Sequence, residues 1–267
     1  MRDWLTVEVI ALLSGLFTWG VTALGSSSVF LFKHAPRRAN ELMLGFAAGV
    51  MTSASFWSLI APGLEMAEPM GLFKWVPVSV GFLFGAFFLR IIDYLLPHLH
   101  PYLKDDSTEG IRVNLKKSTL LFLAITLHNI PEGLSMGVAY GAASVETTGM
   151  GFSSALALTV GIGIQNFPEG VAVAYPLRQS GLSKQKSFFY GQLSGAVEPL
   201  FALIGVFTVS TLKSLLPYVM GFAAGAMIYV VVEELIPESQ SSGETDTSTL
   251  GFIIGFLFMM ILDVTLS

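Results

Sequence analysis

The sequence predicts an all-α integral membrane protein of eight transmembrane helices, arranged as three helices, a central pair and three inverted helices. Three observations lead there. Hydrophobic residues make up 53% of the 267-residue chain and charged residues only 12%, about half the charged share of a soluble domain; mean hydropathy is +0.68. Apolar runs long enough to cross a bilayer, roughly 20 residues each, recur along the whole length. Segments of the first half return in the second, an odd number of spans later, so the two copies cross the membrane in opposite directions.

The spans run at about 7–32, 41–64, 72–97, 117–142, 152–176, 186–210, 214–236 and 249–266. With short loops between them they form one transmembrane domain over 1–267. Span 1 follows Arg2 and Asp3 and includes Glu8. Those acids and its length separate it from a cleaved signal peptide. Span 2 carries Gly45-Phe46-Ala47-Ala48-Gly49-Val50-Met51, which returns in span 7 as Gly221-Phe222-Ala223-Ala224-Gly225-Ala226-Met227. Extended without gaps, the match sets Ser58 against Glu234. Span 3 holds Gly81-Phe82, Gly85 and Asp93, and span 8 holds Gly251-Phe252, Gly255 and Asp263 at the same spacing. Spans 1 and 6 share Leu-Ser-Gly at Leu13-Ser14-Gly15 and Leu193-Ser194-Gly195. Inverted repeats around interrupted central helices are a common plan of secondary transporters, with the substrate site near the midplane. Small residues at helix contacts explain the glycines, but not three matched segments in order.

Spans 4 and 5 carry the chemistry. They read His128-Asn129-Ile130-Pro131-Glu132-Gly133 and Gln165-Asn166-Phe167-Pro168-Glu169-Gly170, thirty-seven residues apart. A carboxylate inside an apolar span is costly and faces a partner, a cavity or an ion. Donors three and four residues upstream share its helix face. Each proline removes an amide donor and disturbs the carbonyl four residues back, at Leu127 and Ile164, which predicts a kinked pair. Carboxylate, imidazole and amide together are the inventory of a divalent cation site. Glu198, before Pro199 in span 6, adds a third carboxylate. The spans offer almost no cation to balance these acids; Arg90 is the obvious one, and it sits near Asp93. Without a partner the glutamates repel one another and take up protons. A divalent ion removes that conflict.

The remaining candidates carry a plainer reading beside the functional one. Met51 is either core filler or a thioether contact. Ser58 and Glu234 line a route, and Glu233 and Glu238 make the end of span 7 acidic. Asp93 and Asp263 sit where helix capping suffices. His98 and His100, beside Asp105 and Asp106, form a solvated loop or a weak metal trap. No cysteine is present, which excludes thiolate ligands and disulfides. Lys33, Arg37, Arg38, Lys104, Arg112, Lys116, Lys117, Arg178, Lys184 and Lys186 lie on one side of the spans, and only Arg2, Lys74 and Lys213 on the other. The positive-inside rule places the ten in the cytoplasm and both termini outside, in a cell membrane.

With these motifs the chain resembles the ZIP family of divalent metal transporters, and within it the bacterial, GufA-like branch. The resemblance rests on the paired motifs of spans 4 and 5, on Glu198-Pro199 and on the Gly-Phe-Ala-Ala-Gly segments, and covers essentially the whole chain. It implies import of Zn²⁺, or of Cd²⁺, Fe²⁺, Mn²⁺ or Co²⁺, through a two-metal centre. One ion would contact His128, Glu132, Gln165 and Glu169, with Met51 as a further contact. The second would contact Asn129 and Asn166, with Glu132, Glu169 and Glu198 shared. Ser58 and Glu234 would fall on the outer approach. It also implies a homodimer embedded in lipid, with no nucleic acid as partner, and an elevator-like movement of the central helices. Asn166 stands where other members carry aspartate, and Glu233 where some carry histidine. Two rival readings remain from the residues alone. An intramembrane zinc hydrolase would use a metal-bound water, but no His-Glu-x-x-His is present. A proton-coupled carrier of another solute would not explain the amides and imidazole beside each carboxylate.

Overall fold

Eight long helices account for almost all of the computed structural model. It describes residues 6–32, 36–71, 73–95, 98–99, 108–109, 117–145, 148, 150–241, 243 and 245–266. Seven of the helices are long and apolar enough to cross a membrane: α1 (Val7–Phe30), α2 (Arg37–Met70), α3 (Trp75–Leu95), α5 (Phe152–Gln179), α6 (Lys184–Thr211), α7 (Lys213–Gln240) and α8 (Thr245–Leu266). Between α3 and α5 stands α4 (Lys117–Ala143). The expected spans all fall on helices. A two-residue antiparallel pairing, β1 (His98–Leu99) with β2 (Thr108–Glu109), interrupts the all-α pattern between α3 and α4. His100, Asp105 and Asp106, and the side chain of His98, lie outside the described residues.

Two expectations need correcting. α2 and α7 run past the predicted limits of 41–64 and 214–236. The residues beyond, such as Arg37, Glu65 and Glu238, are polar but keep hydrogen-bonding along the helix, so the apolar run is shorter than the element. The interruptions also fall elsewhere. α4 and α5 continue through Pro131 and Pro168, because neighbouring helices and side chains compensate a lost backbone bond inside a membrane bundle. Away from the helix ends, the irregular turns are a π segment at Ser55–Ile60 in α2, another at Val231–Leu235 in α7, and a 3₁₀ turn at Gly195–Val197 in α6. Pro62, Pro237 and Pro199 each sit just after one of these, where a missing amide costs least.

Four helix pairs make the closest approaches: α2 with α8, α3 with α7, α1 with α5, and α4 with α6. Glycines set the distance. A Cβ on Gly45 would stand 2.2 Å from the Ser248 carbonyl oxygen, and one on Gly221 2.2 Å from that of Val78. A Cβ on Gly85 would meet the Phe222 oxygen at 2.0 Å, and one on Gly255 the Phe46 oxygen at 2.1 Å. Removing the side chain lets backbones touch, which is how helices associate in lipid. α5 is the centre, with 78% of its most apolar stretch buried against 28% for α3 and 22% for α8. The outer faces of α3 and α8 present Phe84, Phe87, Ile91, Ile253, Leu257 and Ile261, all exposed, as lipid-facing helices do.

The glycine contacts generate a paired test. A methyl on Gly225 would stand 2.0 Å from the Phe82 carbonyl oxygen, whereas nothing lies within 4 Å of one on Gly20. Gly225→Ala should destabilise the protein by about 1–3 kcal/mol or more through forced separation of α3 and α7. Gly20→Ala should be neutral or stabilising by up to about 1 kcal/mol, as helix propensity alone dictates. Thermal unfolding of both variants in detergent measures the difference.

Candidate metal centre

α4, α5 and α6 bring the two motifs and Glu198 together in the interior. His128, Asn129, Glu132, Gln165, Asn166, Glu169 and Glu198 are all buried, four of them with no exposed surface at all. The motif residues share one helix face because they lie three and four positions apart. Gly133 and Gly170 then let the facing helices close up. A Cβ on Gly133 would stand 2.5 Å from the Glu198 carbonyl oxygen, and one on Gly170 2.2 Å from that of Thr22. Close packing of α4 on α6 and of α5 on α1 thus fixes the depth of the carboxylates.

A chain of amides runs through the group. Gln165 Nε2 donates to Glu132 Oε1 at 2.7 Å and to Asn166 Oδ1 at 2.8 Å. Asn166 Nδ2 donates to both carboxylate oxygens of Glu198 at 2.9 Å, with the Thr18 carbonyl at 3.3 Å. Other donors and acceptors are left over. Both polar atoms of Asn129, Glu132 Oε2, Gln165 Oε1 and both carboxylate oxygens of Glu169 are buried without a hydrogen-bond partner. A buried polar atom left unpaired costs about 1–3 kcal/mol, more when charged. Six such atoms on adjacent turns are therefore expensive unless something else binds them. All but the Asn129 nitrogen are oxygens and lone-pair donors, which suits a cation. Among the described residues no three His, Asp or Glu side chains stand close enough together to hold a metal ion by themselves, and one further pairing engages the imidazole.

That pairing joins His128 Nε2 to the carboxylate of Glu234. It was not expected from the sequence, which put Glu234 on the outer approach with Ser58. The two lie in opposite halves instead. Ser58 donates to Asp263, near the end of α8. Glu234 lies one turn or so from Ser239, whose hydroxyl meets that of Ser248, near the start of α8. Fifteen helical residues separate Ser248 from Asp263, about 22 Å along the axis. The reason is the direction of the chain: α2 and α7 run antiparallel, Gly63 late in one packing on Met220 early in the other. Ser58 and Asp263 line a cavity of about 340 Å³ together with Trp57, Glu65, Thr148 and Ser154. Asp263 is therefore a lining residue and not merely a helix end.

Met51 is fully buried in the main apolar cluster, beside other core side chains. Glu233 lies in the electrostatic field of Arg90 and Tyr229. In that second group Asp93 accepts from Arg90 at 3.4 Å and from Tyr229 at 3.1 Å. The expected Arg90–Asp93 pair is present.

Comparison with known proteins settles the kinship. The family model described as "ZIP Zinc transporter" matches residues 103–263. Human Zinc transporter ZIP11 is 40% identical over 96% of this chain and 97% of its own length. Zinc transporter GufA of Myxococcus xanthus is 38% identical over 96% of this chain and 98% of its own. Zinc transporter ZIPB of Bordetella bronchiseptica is 39% identical over 96% and 81%. The chain belongs to the ZIP family. It is accordingly a multi-pass membrane transporter of metal ions and not an enzyme, which removes the hydrolase reading.

The His128–Glu234 contact can be tested by stability. Glu234→Ala leaves the buried imidazole without its acidic partner. It should destabilise the metal-free ZIP protein by about 1–3 kcal/mol, the cost of an unsatisfied buried group. Val232→Ala, on the exposed face of the same turn, should change it far less. Chemical denaturation in detergent compares the two.

Proposed function

We propose that the protein imports Zn²⁺, with Cd²⁺, Fe²⁺, Mn²⁺ and Co²⁺ as related cargo, through the buried group on α4, α5 and α6. The observation that carries this reading is the set of unpartnered buried donors: Asn129, Glu132 Oε2, Gln165 Oε1 and Glu169, beside His128. Nitrogen and oxygen donors without thiolate suit Zn²⁺, and affinity order alone does not exclude its neighbours. The relatives' names, zinc transporters in each case, support the same cargo. Proton-coupled transport of another solute leaves Asn129 without a purpose.

The centre has two positions of unequal strength. His128, Glu132, Gln165 and Glu169 hold the first, with Met51 as an outlying sulfur. Asn129, Asn166 and Glu198 belong to the second, with Glu132 and Glu169 shared. Ions reach it from the Ser58–Asp263 cavity and leave past His128 and Glu234, while Glu233 stays with the Arg90 group at the edge of the route. The chain acts as one transmembrane unit, a homodimer in a cell membrane, its apolar outer faces covered by lipid, with no nucleic-acid partner.

A three–two–three inverted repeat supports alternating access, and several observations favour it. Gly45 and Gly221 meet Ser248 and Val78 in matching register, as Gly85 and Gly255 meet Phe222 and Phe46. The π segments begin at Ser55 and Val231, in the same register as Ser58 and Glu234. Gly133 on Glu198 and Gly170 on Thr22 extend that register to α1 and α6, one turn away from the Leu-Ser-Gly match. Both termini lie outside the cytoplasm by the positive-inside rule.

Two experiments test this function. Glu132→Ala and Glu169→Ala should each cut Zn²⁺ uptake into proteoliposomes by more than tenfold while the protein still assembles; wild-type flux from a folded Glu169→Ala variant overturns the assignment. A cysteine introduced at position 106 should resist an impermeant thiol reagent in intact cells and react once the cells are opened. Labelling in intact cells reverses the orientation.

A further inference from the structure

The two motif asparagines are in opposite states. Asn129 is buried with neither its oxygen nor its nitrogen engaged. Asn166, equally buried, is saturated: Oδ1 accepts from Gln165, and Nδ2 donates to both oxygens of Glu198 and approaches the Thr18 carbonyl. The orientation of this amide follows from its neighbours. Turned over, Asn166 would set its oxygen against the Glu198 carboxylate and its N–H groups against the Gln165 donor. Both contacts would be repulsive.

Glu198 is enclosed as well. A Cβ on Gly195 would stand 3.0 Å from Glu198 Oε1 and 3.0 Å from Thr22 Oγ1, and the Thr18 side chain lies alongside. A carboxylate gripped through both oxygens by N–H donors has strong, charge-assisted bonds on the side where a cation would approach from Asn166.

We propose that Asn166 is a built-in substitute for the second ion: its amide N–H groups hold Glu198, so the transport centre operates with one metal ion, at the His128 position. This rests on the reading that the buried group binds divalent metal, and it sharpens the unequal pair of positions into one working site. In this arrangement Asn166 positions Glu198 and leaves the second position without an ion. Gln165 joins the two ends, since its Nε2 bridges Glu132 and Asn166 while its Oε1 stays free for the first ion. An ion could fill the second position only if Asn166 turned over, releasing Glu198 and breaking the Gln165 bond together. An aspartate at 166 has no N–H to donate. It would repel Glu198 in the absence of metal and open that position to a second cation.

The test counts ions. Full-length protein in detergent is dialysed to equilibrium against excess Zn²⁺, bound zinc is measured, and the amount retained by a Glu132→Ala/Glu169→Ala variant is subtracted as background. Wild type should retain one Zn²⁺ per chain above background, with no metal–metal vector in zinc X-ray absorption. Asn166→Asp should retain two, with such a vector. Glu198→Gln should still retain one, which guards against an Asn166→Asp variant that does not fold. Two ions in wild type overturn the proposal, as does one ion in a monodisperse Asn166→Asp protein or none in Glu198→Gln. No ion above background in wild type removes the metal-site reading itself, and this proposal with it.

Discussion

Three buried glutamates govern the rest of the molecule. Glu132, Glu169 and Glu198 are buried on three adjacent helices and lie within one another's electrostatic reach. No lysine or arginine of the chain joins them among the described residues. Arg90, on α3, is engaged with Asp93. Removing carboxylates from water costs several kcal/mol per ion unless opposite charge or hydrogen bonds replace the lost hydration. The protein meets that cost only in part, with amides from Gln165 and Asn166. That deficit is what the proposed divalent cation would offset.

The scaffold serves to hold that deficit at depth. Four pairs of helices approach through glycine, backbone on backbone, and so leave little freedom for the motif turns to relax. The π turns of α2 and α7 contain Ser58 and Glu234. Their partners differ in kind. Ser58 meets an acid, Asp263, whereas the acid Glu234 meets a base, His128. One contact thus joins acid and hydroxyl, the other acid and imidazole.

Much of this was legible in the chain itself, for definite reasons. A carboxylate beside Asn and Pro in an apolar run has few explanations, and a copy of it in the next span leaves fewer. The glycine segments announced the close helix pairs, since a stripe of small residues has no other use at that spacing. Partner choice was not legible. Matching Ser58 with Glu234 in the sequence did not say where each lies, which follows from the antiparallel run of α2 and α7, and the His128–Glu234 pairing depends on where α7 crosses α4. The amide chain was hidden for a similar reason, because Asn166 reads as a ligand until the distance to Glu198 is known. The π turns carry no mark in composition, and the polar ends of α2 and α7 look like loop although they are helix. Pro131 and Pro168 lie inside helices that continue through them.

If the buried carboxylates are kept for a cation, stability and affinity must trade against each other at a single residue. Glu169 is the sharpest place to look, since neither of its oxygens has a hydrogen-bond donor. Ligand that binds only the folded state raises its stability, by about 2.7 kcal/mol at a hundred times the dissociation constant. Thermal unfolding of wild type and Glu169→Gln, each with and without Zn²⁺, measures both sides of the trade. Glu169→Gln should melt higher than wild type without metal, because a repelling charge is gone, and Zn²⁺ should raise the melting temperature of wild type alone. A Glu169→Gln protein that is less stable without metal, yet gains as much from Zn²⁺ as wild type, would contradict the claim that this carboxylate is held for the ion.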